Sequence, residues 1–252
     1  MQPNADRANA NTLADWITQA LAHARERAAV QQLIDRETEA VVLSLALSLE
    51  ARDANTEGHC ERLSAYAVRL GAALGLTGDE LRALEIAGVV HDVGKVAVPD
   101  CILLKPGALD DEERRIMQQH PVTGENICRP MRSFEGVLPI VRHHHERMDG
   151  SGYPDGLRGE EIPLGARILQ TVDIFDALTM DRPYRHALPT WQAFRVMREE
   201  AERGWLDARL VEQFENVVEQ VETQYHFVHF RERCRERVAK APVLFFPAPA
   251  TA

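Results

Sequence analysis

Apolar residues recur three and four positions apart along nearly the whole of this chain, and no stretch alternates them in the two-residue rhythm of a half-buried strand. A chain of 252 residues that presents only helical faces has to bury them against one another, so the expected fold class is all-α, a helical bundle. Leu13, Trp16, Ile17, Ala20, Leu21 and Ala24 trace one face, and a second helix is predicted through VQQLIDRETEAVVLSLALSLEARD. Leu63, Ala67, Leu70 and Leu74 share a face of CERLSAYAVRLGAALGL, and GDELRALEIAGVVHD follows. Asp110 and Glu113 form a capping box that opens DEERRIMQQH. Pro163 is expected in the first turn of PLGARILQTVDIFDALTM, and two more helices over 190–203 and 207–222 close the bundle.

Three segments follow from these patterns. Residues 1–50 read as a helical connecting or signalling extension, 51–222 as the main domain, and 223–252, ending in PVLFFPAPATA, as a tail. The formal net charge of -10 leaves no global field to draw the chain to a nucleic acid polymer or an anionic membrane. A phosphate substrate would need local cations: a few placed Arg or Lys, or metal ions. Cys60, Cys101, Cys128 and Cys234 form no CxxC pair and read as free thiols of a reducing compartment. MQPNADRANANT is too polar for a signal peptide, and AVVLSLALSLEA is too short for a membrane span, which needs roughly 20 residues. A cytoplasmic protein is expected.

The chemistry gathers where helices meet loops. His59 precedes a core helix, His91 and Asp92 end the next, His120 ends a third, and His144 and His145 stand in RHHHERMDGSGYP. Asp173 lies within the apolar helix QTVDIFDAL. Any one of these has an ordinary reading, such as a histidine set against the dipole of a helix C-terminus. Buried together, seven imidazoles and carboxylates pair with one another only through something positive. Neutral imidazole and carboxylate suit zinc, manganese or iron.

In order along the chain, RDANTEGHCERL, HDVGK, PDCILLKPGAL, HHERMDGSGYP and RILQTVDIFDALTMDRPYR resemble the HD-GYP family of bacterial phosphodiesterases, a branch of the HD phosphohydrolases, over roughly residues 45–220. The resemblance implies an HD-type helical bundle carrying two or three metals, iron or manganese most often, and cyclic di-GMP as substrate, cleaved to linear pGpG or GMP. Carried onto this chain, it implies that His59, His91, Asp92 and Asp173 hold one metal. Asp92 bridges to the second, completed by His120, His144 and His145. His143 then falls outside the ligand set, as a neighbour or an exposed residue. Bridged metals of this kind turn a shared water into hydroxide and clamp the phosphate for in-line attack. Asp92 and Lys95 are the catalytic candidates, with Lys95 reaching the phosphate or the hydroxide.

The same resemblance makes Gly152, Tyr153, Asp176, Arg182 and Arg185 substrate contacts. Arg182 and Arg185 bind phosphate or base, Asp176 a guanine edge, and Asp149 and Pro154 shape the glycine turn. Glu146 is expected to support the histidines from behind. Some members carry a glutamate four residues before the first ligand histidine, which holds a third metal. Here that residue is Asn55, so two divalent ions are expected. Another cyclic dinucleotide or nucleotide as substrate, or a non-catalytic binding module, are the rival readings. The N-terminal helices are expected to transmit a signal, meet protein partners or pair two chains.

Overall fold

Between the two helices expected at the N-terminus the sequence ARERAAV holds good helix formers and neither Gly nor Pro, so nothing stops the first helix from running into the second. The computed structural model, which describes residues 4–50, 58–181 and 186–222, has one helix there, α1 (Asn4–Glu50). Asn55, Arg182, Arg185 and the tail from 223 lie outside the described residues. Two compact units divide at Glu39 and Ala40, ahead of the expected boundary at residue 50. The reason is burial: Val42, Leu43 and Ala46 belong to the second unit's core. The first unit is helical and leaves Trp16, Leu21, Val30, Leu33 and Ile34 exposed.

The second unit is built from nine further helices, with short 3-10 turns and no strand among the described residues. They are α2 (His59–Ala73), α3 (Gly78–Val90), α4 (Asp100–Leu103), α5 (Asp111–Met117), α6 (His120–Cys128), α7 (Leu138–His143), α8 (Leu164–Thr179), α9 (Thr190–Glu202) and α10 (Ala208–Glu222). Leu63 and Leu70 of α2 meet Leu84 of α3, Ile168, Leu169 and Val172 of α8, and Phe194 and Phe214 of α9 and α10 in one core. Each such side chain contributes about 1.5–3 kcal/mol on burial. Tyr66, Phe175, Phe194 and Phe214 pack ring to ring, with Phe175 centred 5.0 Å from Phe194 and 5.1 Å from Phe214. Arg167 of α8 donates to Asp207 at 2.7 Å and to the Ile162 carbonyl at 3.1 Å, which satisfies a buried guanidinium.

The Asp110 capping box forms as expected: the Asp110 carboxylate accepts from the Glu112 and Glu113 amides at 2.9 Å, and Glu113 accepts from the Asp110 amide at 2.9 Å. His120, however, begins a helix rather than ending one. Pro121 follows it and is tolerated only in a first turn, so α5 stops at Met117 and α6 starts afresh at His120.

This restart brings α6 hard against the 3-10 turn Val93–Ala97 that follows Asp92. A Cβ on Gly94 would fall inside the His120 carbonyl and against the Gly124 amide. Glycine at this place lets the HDVGK turn and the start of α6 touch backbone to backbone, which seats Asp92 beside His120. Gly94→Ala is therefore expected to cost about 3–5 kcal/mol in urea denaturation. Gly136→Ala, whose methyl would meet Ala83 Cβ at an ordinary 3.4 Å, serves as the control and is expected to cost under about 1 kcal/mol. Equal midpoints for the two variants would show that the turn yields freely.

Candidate metal centre

Helix ends deliver six of the seven predicted ligands. His59 is the first residue of α2, His91 caps α3 with Asp92 next to it, His120 opens α6, and His144 and His145 follow α7. Asp173 projects from the middle of α8. Their ligand atoms collect into two groups, Asp92 with His120, His144 and His145, and His59 with His91 and Asp173; within each group the atoms lie within 4.8 Å of one another. Asp92 joins them, because one of its oxygens lies 3.2 Å from His120 Nε2 and the other 3.4 Å from His91 Nε2.

Backbone geometry decides which nitrogen each imidazole offers. The Nδ1 of His91 meets the Gly88 carbonyl at 3.3 Å, that of His120 the Met117 carbonyl at 2.8 Å, and that of His144 the Val141 carbonyl at 2.7 Å. A carbonyl only accepts, so each Nδ1 carries a proton, and in the neutral ring each Nε2 is left with a bare lone pair. The Nε2 atoms of His120 and His144 then face each other at 3.4 Å, with Asp92 Oδ1 beside them. Lone pair against lone pair against carboxylate is unfavourable unless a cation lies between them. His91 Nε2 and Asp92 Oδ1 are both buried without a hydrogen-bond partner, an arrangement worth about 1–3 kcal/mol of destabilisation per atom. The donor set of neutral imidazole and carboxylate fits divalent iron, manganese or zinc.

Electrostatics agrees with that donor set. Burial pushes the His144 and His145 imidazoles well below the ordinary value of 6.5, and neighbouring imidazoles push the same way, so both rings are neutral at pH 7, the form a metal needs. Burial works against the Asp92 carboxylate, but the Lys95 ammonium holds it well below the ordinary carboxylate range. Lys95 Nζ lies 2.5 Å from Asp92 Oδ2. A cavity of about 70 Å³ opens beside these groups, walled by His91, Asp92 and Lys95 and by Ala46 and Leu49 of α1 and Leu104.

The glycine loop after the histidines is held by its own backbone. Glu146, 0% exposed, accepts from the amides of Asp155 at 2.7 Å, Gly156 at 3.0 Å and Leu157 at 3.1 Å. Its carbonyl accepts from Gln170. Glu146 thus anchors the loop instead of backing the histidines, as the sequence had suggested. Gly150 takes φ +79, and a Cβ on Gly152 would fall inside the Glu146–Arg147 backbone. Gly152 lies against its own chain at the point where the loop folds back. That fold brings Tyr153 onto His145, ring centres 4.8 Å apart and stacked at 29°, with the Tyr153 amide donating to the His145 carbonyl at 3.2 Å.

Two other expectations change or resolve. Asp176, expected at a guanine edge, is 3% exposed and points into the bundle. Its oxygens meet His59 Nδ1 at 2.8 Å and Arg62 Nε at 2.5 Å, both engaged inside the protein. His143 has both ring nitrogens occupied, by the Pro139 carbonyl and by Asp155 Oδ2, each at 3.0 Å, and is turned away from the ligand groups. Sequence reasoning missed Arg62, and also Glu50, whose carboxylate accepts from the Cys60 amide at 3.2 Å. The spacing of Arg62 from His59, three residues on one helix face, was the signal available for the first.

A family model described as an HD domain matches residues 19–210. The chain belongs to the HD domain family. Among curated HD domain relatives, the cyclic di-GMP phosphodiesterase response regulator RpfG of Xanthomonas campestris is 43% identical over 188 residues, 73% of this chain and 49% of that protein. The 3'3'-cGAMP-specific phosphodiesterase 3 of Vibrio cholerae is 38% identical over 167 residues, 66% of this chain and 36% of that protein. The chain thus spans half or less of the length of these relatives. A solved structure of a cyclic GMP-AMP specific phosphodiesterase of V. cholerae superposes with a TM-score of 0.57 at 22% identity, covering 81% of this chain and 53% of that one, a likeness of fold. No helix among the described residues is long and apolar enough to cross a membrane.

The loop anchor gives a pH-dependent prediction. Arg142 grips Asp155 with two hydrogen bonds of 2.7 and 2.8 Å and reaches Glu125 of α6 at 2.7 Å. Arg142, and after it His143, hold the Asp155 carboxyl down from its ordinary 3.8 to about 2. Above about pH 4 this favours the folded chain in full, because the carboxylate is then ionised in both states. As pH falls from about 4 towards 2, the unfolded chain takes the proton first and the advantage disappears. The carboxylate is 34% exposed, so solvent screening cuts its worth to about 1 kcal/mol. Asp155→Asn is expected to lose that much stability in urea at pH 7, and the gap to the parent should close between pH 4 and 2. A gap that stays constant over that interval would exclude the ion pair as its source.

Proposed function

We propose that this chain is a metal-dependent phosphodiesterase of the HD-GYP branch that hydrolyses cyclic di-GMP to linear pGpG or GMP. The observation that carries the reading is the pair of bare Nε2 atoms of His120 and His144, 3.4 Å apart beside the buried Asp92 carboxylate. His59, His91, Asp92 and Asp173 would hold one divalent ion and Asp92, His120, His144 and His145 a second, with iron or manganese the metals best suited to nitrogen and carboxylate donors together. Such ions supply positive charge that acidifies water and neutralises a phosphodiester.

The protein's own groups do the rest. Lys95 keeps an ammonium at the mouth of the ligand groups, where it attracts the phosphate and shares the charge of Asp92. Tyr153, stacked on His145, offers an aromatic face and a hydroxyl at the site's edge for a nucleotide base. Burial pushes the Tyr153 hydroxyl pKa upward, so it acts as a neutral donor. Arg182 and Arg185 of DRPYR provide guanidinium forks for phosphate oxygens. Relatives named for cyclic di-GMP and for 3'3'-cGAMP support a cyclic dinucleotide as the substrate class, and the first-named favours cyclic di-GMP. Exposed Trp16, Leu21, Val30, Leu33 and Ile34 support a docking role for the N-terminal helix, towards a second chain or a signalling partner in the cytoplasm.

Four measurements test the reading. Asp92→Ala is expected to lose nearly all metal, measured by elemental analysis, and to lower turnover of cyclic di-GMP by at least about a thousandfold while the far-ultraviolet helical signal survives. Full turnover in that variant would exclude a shared carboxylate. Arg182→Ala is expected to raise KM for cyclic di-GMP about tenfold or more with metal content unchanged. Anomalous scattering and elemental analysis of protein purified without oxygen are expected to give two metals per chain, since Asn55 is a poor ligand for a third. A substrate panel on the loaded protein, in which 3'3'-cGAMP is cleaved faster than cyclic di-GMP, would move the assignment to the mixed dinucleotide.

A further inference from the structure

His59 is anchored unlike His91, His120 and His144. His91, His120 and His144 each rest Nδ1 on the carbonyl three residues earlier. His120 opens a helix, but α5 ends three residues before it and supplies that carbonyl. His59 opens α2 directly after Gly58, which takes φ 73, so α2 has no earlier turn to give it one. Its Nδ1 instead meets the Asp176 carboxylate at 2.8 Å, from α8.

Two helical spacings interlock here. On α8, Asp173 and Asp176 are three residues apart and share a face. Asp173 lies 3.7 Å from His59 Nε2 and Asp176 lies on Nδ1, so the two carboxylates address opposite sides of one ring. On α2, His59 and Arg62 are also three apart, and Arg62 closes on Asp176 with Nε at 2.5 Å and Nη2 at 3.1 Å. His59 is 8% and Asp176 3% exposed. For Asp176 to reach a ligand in the cleft it would have to leave both a guanidinium and an imidazole without their carboxylate inside the bundle, a costly exchange.

We infer that Asp176 is a positioning residue: it fixes the rotation and tautomer of His59 so that Nε2 is presented to the metal beside Asp173, with Arg62 as the counter-ion that keeps the carboxylate in place. A carboxylate on the far nitrogen of a ligand histidine makes that ligand more basic and holds its ring. Three of the ligand histidines obtain this orientation from their own backbone. His59 obtains it from a side chain of another helix, the Asp176 carboxylate of α8. The inference rests on the metal-binding reading of His59.

The test is the metal affinity of metal-free protein, titrated with Mn²⁺ against a competing chelator. Asp176→Asn, nearly the same shape without the charge, is expected to weaken the tighter-lost equivalent of metal about 10–100-fold. At saturating Mn²⁺ its KM for cyclic di-GMP should match the parent's. In a His59→Ala background the same substitution should change metal affinity no further, since its effect passes through that ring. Arg62→Gln, which leaves every ligand in place, should shift the affinity in the same direction by a smaller factor, and it serves if Asp176→Asn fails to fold. Unchanged metal affinity with a raised KM would overturn the inference and return Asp176 to substrate binding. An additional loss in the His59→Ala background would overturn it too. A parent protein that takes up no metal at all would instead overturn the metal reading itself, before any variant is compared.

Discussion

An imidazole has two nitrogens, and only the one without a proton binds metal. At this site the main chain makes that choice for three histidines, by setting a carbonyl three residues back against each Nδ1. Every other feature of the centre depends on it. Bare Nε2 atoms converge where Asp92 is buried, and the resulting concentration of lone pairs and negative charge is tolerable only around a cation. The fold therefore concentrates an electrostatic cost at one place, whereas the buried pair of Arg167 with Asp207 is matched charge for charge.

The loop that follows the histidines is rigid for reasons separate from metal. Glu146 gathers three successive backbone amides, Gly152 lets the chain fold back on residues 146–147, and Arg142 ties Asp155 to Glu125 of α6. A carboxylate that accepts several backbone amides is a strong local anchor. Its consequence for function is positional: Tyr153 is carried onto His145 without needing a bound ligand to order it. Binding groups held in place beforehand lose less freedom when a substrate arrives.

The last turns of α1 belong to the same unit as the centre. Ala46 and Leu49 wall the cavity beside His91 and Asp92, and Glu50 accepts from the amide of Cys60, the residue after His59. The link is short in chemical terms, one carboxylate from the end of a long helix to the first turn of the one that His59 opens. It ties residues 40–50, which belong to the second unit, to the first turn of α2.

Sequence by itself determined the all-α class, the helix faces, the Asp110 capping box and the list of imidazoles and carboxylates in their motifs, because periodicity, capping and motif order are local properties of neighbouring residues. It also marked the glycine turn at Gly150 and Gly152, but not the close approach at Gly94. Local reasoning failed at His120, where Pro121 restarts a helix, and along α1, where no breaker separates the two apolar runs. It failed more deeply at Asp176 and Glu146. Each is a carboxylate whose role depends on partners elsewhere: Asp176 on His59 and Arg62, 117 and 114 residues away, and Glu146 on amides about ten residues along the chain. A side chain's chemical type is written in the sequence, but the proton or charge it answers to is set by what packing brings within 3 Å. For the buried carboxylates of this protein only the tertiary structure could decide that.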